Sequence, residues 1–239
     1  MRLVAFLHEG KAALGVRLQE EIVNLTEVGL PDTLDTFLKA GDDAMHAAKR
    51  AIDRAARRLP ISDLEYLPPL RSPEKAIAVG LNYRDHAAES KFEAPTYPVL
   101  FHRFPTSWVA HRSAMIAPRL SDQFDYEGEL VVVIGRAGRH IHVQNALQHA
   151  AGYSIFNDGS ARDYQFKSTQ WMIGKNFDRS GAFGPEFVTA DELPEGATGL
   201  RLQTRVNGRV LQDANTRDMA PSLDLAGAPY SPSRRSQAE

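Results

Sequence analysis

The segment Asp125-Tyr126-Glu127-Gly128-Glu129 runs straight into Leu130-Val131-Val132-Val133-Ile134. Side chains alternate faces along a strand, so Asp125, Glu127 and Glu129 share one face and Val131 and Val133 continue it. The run from Leu130 to Ile134 is apolar on both faces, the pattern of a buried strand. Acids at one end and core at the other place carboxylates at the rim of an interior. Alternate Cα atoms lie roughly 6.5–7 Å apart, so two Glu side chains can converge on one cation. The segment by itself is also open to reading as a solvated strand end.

Bulk properties narrow the classes of function. The 239 residues suffice for one large or two small domains. A formal net charge of -2 argues against a nucleic-acid surface. Without cysteine there are no disulfides and no thiolate metal sites. The apolar run Leu3-Val4-Ala5-Phe6-Leu7 is too short for a signal peptide, and no segment approaches the roughly 20 apolar residues of a membrane span. The default is a cytoplasmic protein with no membrane partner.

Residues 2–7 and 12–18 read as strands joined at Glu9-Gly10, with a third over 21–25. Asp32 then suits the cap of a short helix carrying Leu34, Phe37 and Leu38, and Asp42 the cap of the next. Met45, Ala48, Ile52, Ala55 and Leu59 recur at helical spacing, and Pro60 ends the run. Lys49, Arg50, Arg54, Arg57 and Arg58 crowd its other face; with no interleaved aromatics they read as a solvated face rather than a nucleic-acid surface.

The proline-rich stretch Tyr66-Leu67-Pro68-Pro69-Leu70-Arg71-Ser72-Pro73 reads as a linker, which puts a boundary near residue 70. Beyond it come short strands with turn signals over 76–79, 99–103, 114–116, 127–134, 152–157 and 201–206, and a short helix over 143–150. Asn207-Gly208 is a strong type I′ hairpin signal. Residues 1–70 thus form a small α+β N-terminal domain, 71–219 a mainly β domain, and 220–239 a proline- and serine-rich tail without periodicity that reads as disordered.

Further polar residues surround the glutamates in type, if not in sequence. Asn82 suits a helix cap, and His86 and Glu89 fall at i and i+3 on the helix it would start. A carboxylate beside an imidazole orients the ring and raises its basicity, so the pair can deprotonate water; an incidental surface contact fits as well. Asp158 ends an apolar strand, as a third oxygen ligand or as a turn cap. Two Glu and one Asp make a hard-cation set suited to Mg2+ or Mn2+. Lys175, near Trp171, Phe177 and Phe183, is open to reading as an electrophilic helper or as a solvated loop lysine.

These motifs together resemble the fumarylacetoacetate hydrolase family, in its bacterial type with a small N-terminal domain. The resemblance rests on Val79-Gly80-Leu81-Asn82-Tyr83 through His86, Asp125-Tyr126-Glu127-Gly128-Glu129-Leu130, Gly152-Tyr153 through Asn157-Asp158, Ser160-Ala161-Arg162-Asp163, Gly174-Lys175 and Val206-Asn207-Gly208, in family order over 73–219. It implies an α+β, mainly β fold, a distorted β-barrel or β-roll holding one Mg2+ or Mn2+. Glu127, Glu129 and Asp158 would be the metal ligands, and His86 with Glu89 a dyad on a mobile lid. Lys175 and Gln165 would contact substrate or the developing oxyanion. Arg103 would bind substrate, although many relatives carry Lys-Pro where this chain has Arg103-Phe104. The resemblance also implies a homodimer.

The implied substrate is a small 2-oxo acid that chelates the metal through its carboxylate and 2-oxo oxygens. The first expectation is hydrolysis of a C–C bond in a 2,4-dioxo acid such as an acylpyruvate or fumarylpyruvate. His86 and Glu89 would activate water, and Lys175 would offset the oxyanion. Decarboxylation of an oxaloacetate-type substrate and keto–enol isomerisation use the same enolate. After Asn215-Thr216-Arg217-Asp218-Met219 the family pattern stops. The C-terminal part of the fold is therefore expected to be missing, which leaves an inactive remnant as a further reading.

Overall fold

The computed structural model describes residues 1–54, 57–83 and 97–219. Strands β1 (Arg2–His8), β2 (Lys11–Leu18) and β3 (Glu21–Asn24) form an antiparallel meander. Helix α1 (Leu34–Lys39) is capped by Thr33, not Asp32: Thr33 is extended, and its hydroxyl accepts from the Thr36 N–H at 3.3 Å. Helix α2 (Gly41–Asp53) begins without a side-chain cap, and Asp42 and Asp43 instead meet the positive end of its dipole. Its buried face is Ala44, Ala48 and Ala51, with Met45 and Ile52 partly covered.

The helical spacing expected to run to Leu59 ends at Asp53. Leu59 belongs to β4 (Arg58–Pro60), where it pairs with Ile22 of β3. Partners across a ladder outweigh local periodicity here. Strand β5 (Glu65–Tyr66) returns to pair with β1.

Strands β6 (Ile77–Gly80) and β7 (Val99–His102) form a separate antiparallel pair. Next come β8 (Trp108–Ala110), β9 (Phe124–Asp125), β10 (Gly128–Ile134), β11 (Ala150–Asn157) and β12 (Ser160–Ala161). Two single-turn helices follow, α3 (Arg162–Gln165) and α4 (Met172–Lys175), then β13 (Gly181–Phe183) and β14 (Glu186–Thr189). The hairpin of β15 (Arg201–Val206) and β16 (Arg209–Asn215) closes the described chain. Asn207 and Gly208 have φ of 51° and 81°, as a type I′ turn requires. Residues 114–116 form no strand; Ile116 makes one backbone bond, to the Arg179 carbonyl. The helix expected over 143–150 is a 3-10 helix, Val143–His149.

The main sheet runs β4-β3-β2-β1-β14-β11-β13-β8, with β10 on β11 and β5 on β1. Its two ends do not pair among the described residues, so the barrel is not closed and the fold is an open roll. Pairing of β1 with β14, Leu3 opposite Phe187, carries this sheet across the proline-rich stretch. Leu3, Leu14, Val23, Phe37, Val133 and Phe187 pack in one buried cluster. Val133 belongs to this cluster and Val131 packs against it. The rest of the expectation does not hold: Asp125 stands on β9, apart from β10, and β10 is not buried on both faces, since Leu130 and Val132 are half-buried and Ile134 is 55% exposed. Each fully buried Phe in that cluster contributes about 1.5–3 kcal/mol.

Among the described residues no helix is long and apolar enough to cross a membrane. His86 and Glu89, the rest of the helix expected after Asn82, and the tail over 220–239 lie outside the described residues.

Candidate active site

Glu127 and Gly128 are held from two directions. The Glu127 N–H donates to Asn157 Oδ1 at 3.2 Å, and the Asp158 N–H donates to the Glu127 carbonyl at 2.7 Å. On the other side the Gln212 amide of β16 grips Gly128: it accepts from the Gly128 N–H at 2.7 Å and donates to the Gly128 carbonyl at 2.8 Å. A Cβ at Gly128 would stand 3.1 Å from Gln212 Oε1 and closer still to Thr204 Oγ1, so this approach needs glycine.

The side chains form a network of alternating charge. Lys175 Nζ donates to Glu127 Oε2 at 2.7 Å and to Asp158 Oδ2 at 2.8 Å. Its residue is only 1% exposed, so this is not a solvated loop lysine. The Lys175 ammonium also faces the Phe101 ring, 5.1 Å from its centre, while Phe177 packs on Tyr164. Arg103 Nη1 lies 2.9 Å from Asp158 Oδ1, and its guanidinium also donates to the Gly159 and Ser107 carbonyls at 3.3 Å. Arg103 therefore anchors Asp158 in the buried wall of the site.

Arg162, which falls within the Ser160-Ala161-Arg162-Asp163 motif but has no role evident from the sequence, ties the acids together. Its Nε and Nη2 donate to Asp125 Oδ2 at 2.9 and 2.7 Å. Its Nη1 donates to Glu127 and, at 3.0 Å, to Gln165 Oε1. Gln165 is buried and reaches the cluster through Arg162. No local sequence signal marks Arg162: it follows β12 directly and meets Asp125 only because Ser160 pairs with that residue. Helix α4 brings Lys175 in because Gly174 lies flat on α3. A Cβ there would stand 2.5 Å from Gln165 Cα and 2.7 Å from the Ala161 carbonyl oxygen.

Electrostatics single out Glu129. Burial and then the neighbouring Glu127 and Asp158 carboxylates push its carboxyl up to about 8, against the pull of Lys175. Burial also raises Glu127, but Lys175 and Arg162 beside it hold its carboxyl below the ordinary value. Four carboxylates (Asp125, Glu127, Glu129 and Asp158) meet three cations (Arg103, Arg162 and Lys175). Glu129 is the acid with no cation bonded to it among the described residues. The Tyr83 hydroxyl, buried and without a hydrogen-bond partner, feels the same charge: burial and Glu129 push it up to about 12.

The three carboxylates expected as metal ligands fit a hard cation in chemistry: all donors are oxygens, and their mutual repulsion calls for positive charge. Among the described residues no three His, Asp or Glu side chains stand in metal-holding geometry. The Lys175 ammonium takes the position between Glu127 and Asp158.

A mainly β roll with carboxylates gathered at the start of β10 defines the class. Residues 75–224 match the family described as Fumarylacetoacetate (FAA) hydrolase C-terminal. Oxaloacetate tautomerase Fahd2a, mitochondrial, of Rattus norvegicus is 36% identical over 226 residues, covering 92% of this chain and 72% of that protein. The human FAHD2A oxaloacetate tautomerase is 37% identical over 199 residues, which cover 82% of this chain and 63% of the relative. Among solved structures, fumarylacetoacetate hydrolase from Exiguobacterium antarcticum superposes with a TM-score of 0.81 at 33% identity, covering 95% of this chain and 80% of that one. The chain belongs to the fumarylacetoacetate hydrolase family, whose members are enzymes.

Proposed function

We propose that the chain performs enolate chemistry on a small 2-oxo acid, with keto–enol tautomerisation of a 2-oxo dicarboxylic acid of the oxaloacetate type as its reaction. The observation that carries this reading is the buried bridge of Lys175 between Glu127 and Asp158, with Glu129 left unpaired beside it. The tautomerase relatives, at 36–37% identity, support the choice of reaction.

Glu127, Glu129 and Asp158 would hold a hard divalent cation, Mg2+ or Mn2+, which when bound supplies Lewis acidity toward a 2-oxo carbonyl. The chain's own residues do the rest. Lys175 carries a buried positive charge that offsets the negative charge gained by the 2-oxo oxygen on enolisation. Arg162 keeps Glu127 turned into the cluster, and Arg103 does the same for Asp158. His86, with Glu89 as its partner, would take the C3 proton of the substrate and deliver a proton to the 2-oxo oxygen, and the reverse transfer restores the keto form. The enol and keto forms differ by that proton and its position alone, so no water is consumed.

Hydrolysis of a 2,4-dioxo acid, the reaction expected first from the sequence, is the second reading. The 33% identical hydrolase structure supports it. A panel of oxaloacetate, acylpyruvates and fumarylpyruvate, run with Mg2+ or Mn2+, tests both. Faster loss of the oxaloacetate enol absorbance without release of pyruvate supports tautomerisation. Pyruvate from acylpyruvates, abolished by His86→Ala, supports hydrolysis instead. Metal-loaded protein that is silent on all three substrates would sink both.

A further inference from the structure

A second charged cluster lies at the other end of β10. From Gly135 to His149 the chain carries Arg136, Arg139, His140, His142 and His149 and no Asp or Glu. Arg136 and Arg139 thus carry formal positive charge in a stretch without any acid, in a chain whose formal net charge is -2. The five side chains line one cleft of about 340 Å3, together with Asn145 and Gln148.

The cleft is held by its own backbone. The Gly135 and Arg136 N–H groups both donate to the His149 carbonyl, at 2.9 and 3.4 Å. His149 Nδ1 in turn lies 2.9 Å from the Arg136 carbonyl. A nitrogen facing a carbonyl must carry the ring hydrogen, which leaves Nε2 for another partner. Arg136 and Arg139 form no ion pair among the described residues. Five residue steps of β10 separate Ile134 from Glu129, roughly 17 Å, so the cleft does not share groups with the carboxylate cluster.

We propose that this cleft binds a small polyanion of the pyrophosphate class. Two guanidinium groups match phosphate oxygens in a planar fork, and charge-assisted bonds of that kind are the strong ones. The Asn145 and Gln148 amides add neutral donors, and no lining carboxylate repels the ligand. The cluster is confined to one loop and a cleft of small-molecule size, which selects a compact anion over a nucleic-acid backbone.

Isothermal titration of the metal-free full chain with pyrophosphate, at ionic strength held constant with chloride, tests this. Wild type should show one saturable site. The double variant Arg136→Ser/Arg139→Ser should bind about tenfold more weakly or worse, with an unchanged far-UV circular dichroism spectrum. Absence of saturable heat in wild type would overturn the proposal. So would equal binding by the double variant, which would move the anion to another part of the molecule.

Discussion

Lys175 and Glu127, 48 residues apart in sequence, meet at 2.7 Å in a buried position. The same ammonium reaches Asp158 at 2.8 Å, so one lysine bridges two of the three carboxylates proposed to hold a metal. Cation and carboxylates thus depend on each other, which makes the site sensitive to loss of either.

Lys175→Met should lower stability strongly in the metal-free protein. Removing one partner of a buried ion pair leaves uncompensated charge and costs about 3–5 kcal/mol. Denaturant unfolding in EDTA measures this. Added Mg2+ should recover part of the loss, because a ligand that binds only the native state stabilises it. A variant as stable as wild type would mean that the bridge contributes nothing.

The Glu129 carboxyl has an ordinary value of 4.5 and stands at about 8 in the folded chain. Between those values the folded protein keeps a proton that the unfolded chain has released. Stability from this group is therefore lost as pH rises from 4.5 to 8, and is level above that. A bound divalent cation replaces the proton and removes this dependence. Thermal midpoints of wild type minus Glu129→Gln should fall across pH 5 to about 8 in EDTA. They should be flat with saturating Mg2+. A difference that rises with pH in EDTA would contradict the raised carboxyl.

Arg162→Lys should weaken the Asp125–Glu127 side of the cluster. A lysine keeps the charge but not the fork that reaches Asp125, Glu127 and Gln165 together. The expected loss is about 1.5–3 kcal/mol, read by urea unfolding, with kcat lowered more than KM is raised. Activity equal to wild type would remove Arg162 from the positioning of Glu127.

Gly174→Ala should disturb the seating of Lys175 without touching a charge. The added methyl meets Gln165 Cα and the Ala161 carbonyl, which are backbone and cannot swing aside. Overpacking of this kind costs about 1–3 kcal/mol. Urea unfolding checks the cost, and an unchanged midpoint would show that α3 and α4 slide apart freely.

Much of this was legible in the sequence where local chemistry decides. The Asn207-Gly208 turn and the alternation from Glu129 to Val133 appear where expected, because both depend on neighbours within a few residues. What local pattern could not show was pairing over distance. Leu59 had helical spacing yet lies opposite Ile22, and Leu3 of β1 lies opposite Phe187 across the proline-rich stretch. In the site, the carboxylates stood out because acids at the end of an apolar strand are conspicuous. Arg162 did not, because its partners Asp125 and Glu127 are 37 and 35 residues away and meet it only through the β9–β12 pairing.

The claim on which the account turns is that Glu127, Glu129 and Asp158 hold a divalent cation beside Lys175. Calorimetric titration of Mn2+ into the metal-free chain at pH 8.5 or above, where Glu129 is largely ionised, tests it most directly. Wild type should show one saturable site, weakened at least about tenfold in Glu129→Gln by loss of a charged ligand. No binding by the folded wild type, or equal binding by Glu129→Gln, would contradict it.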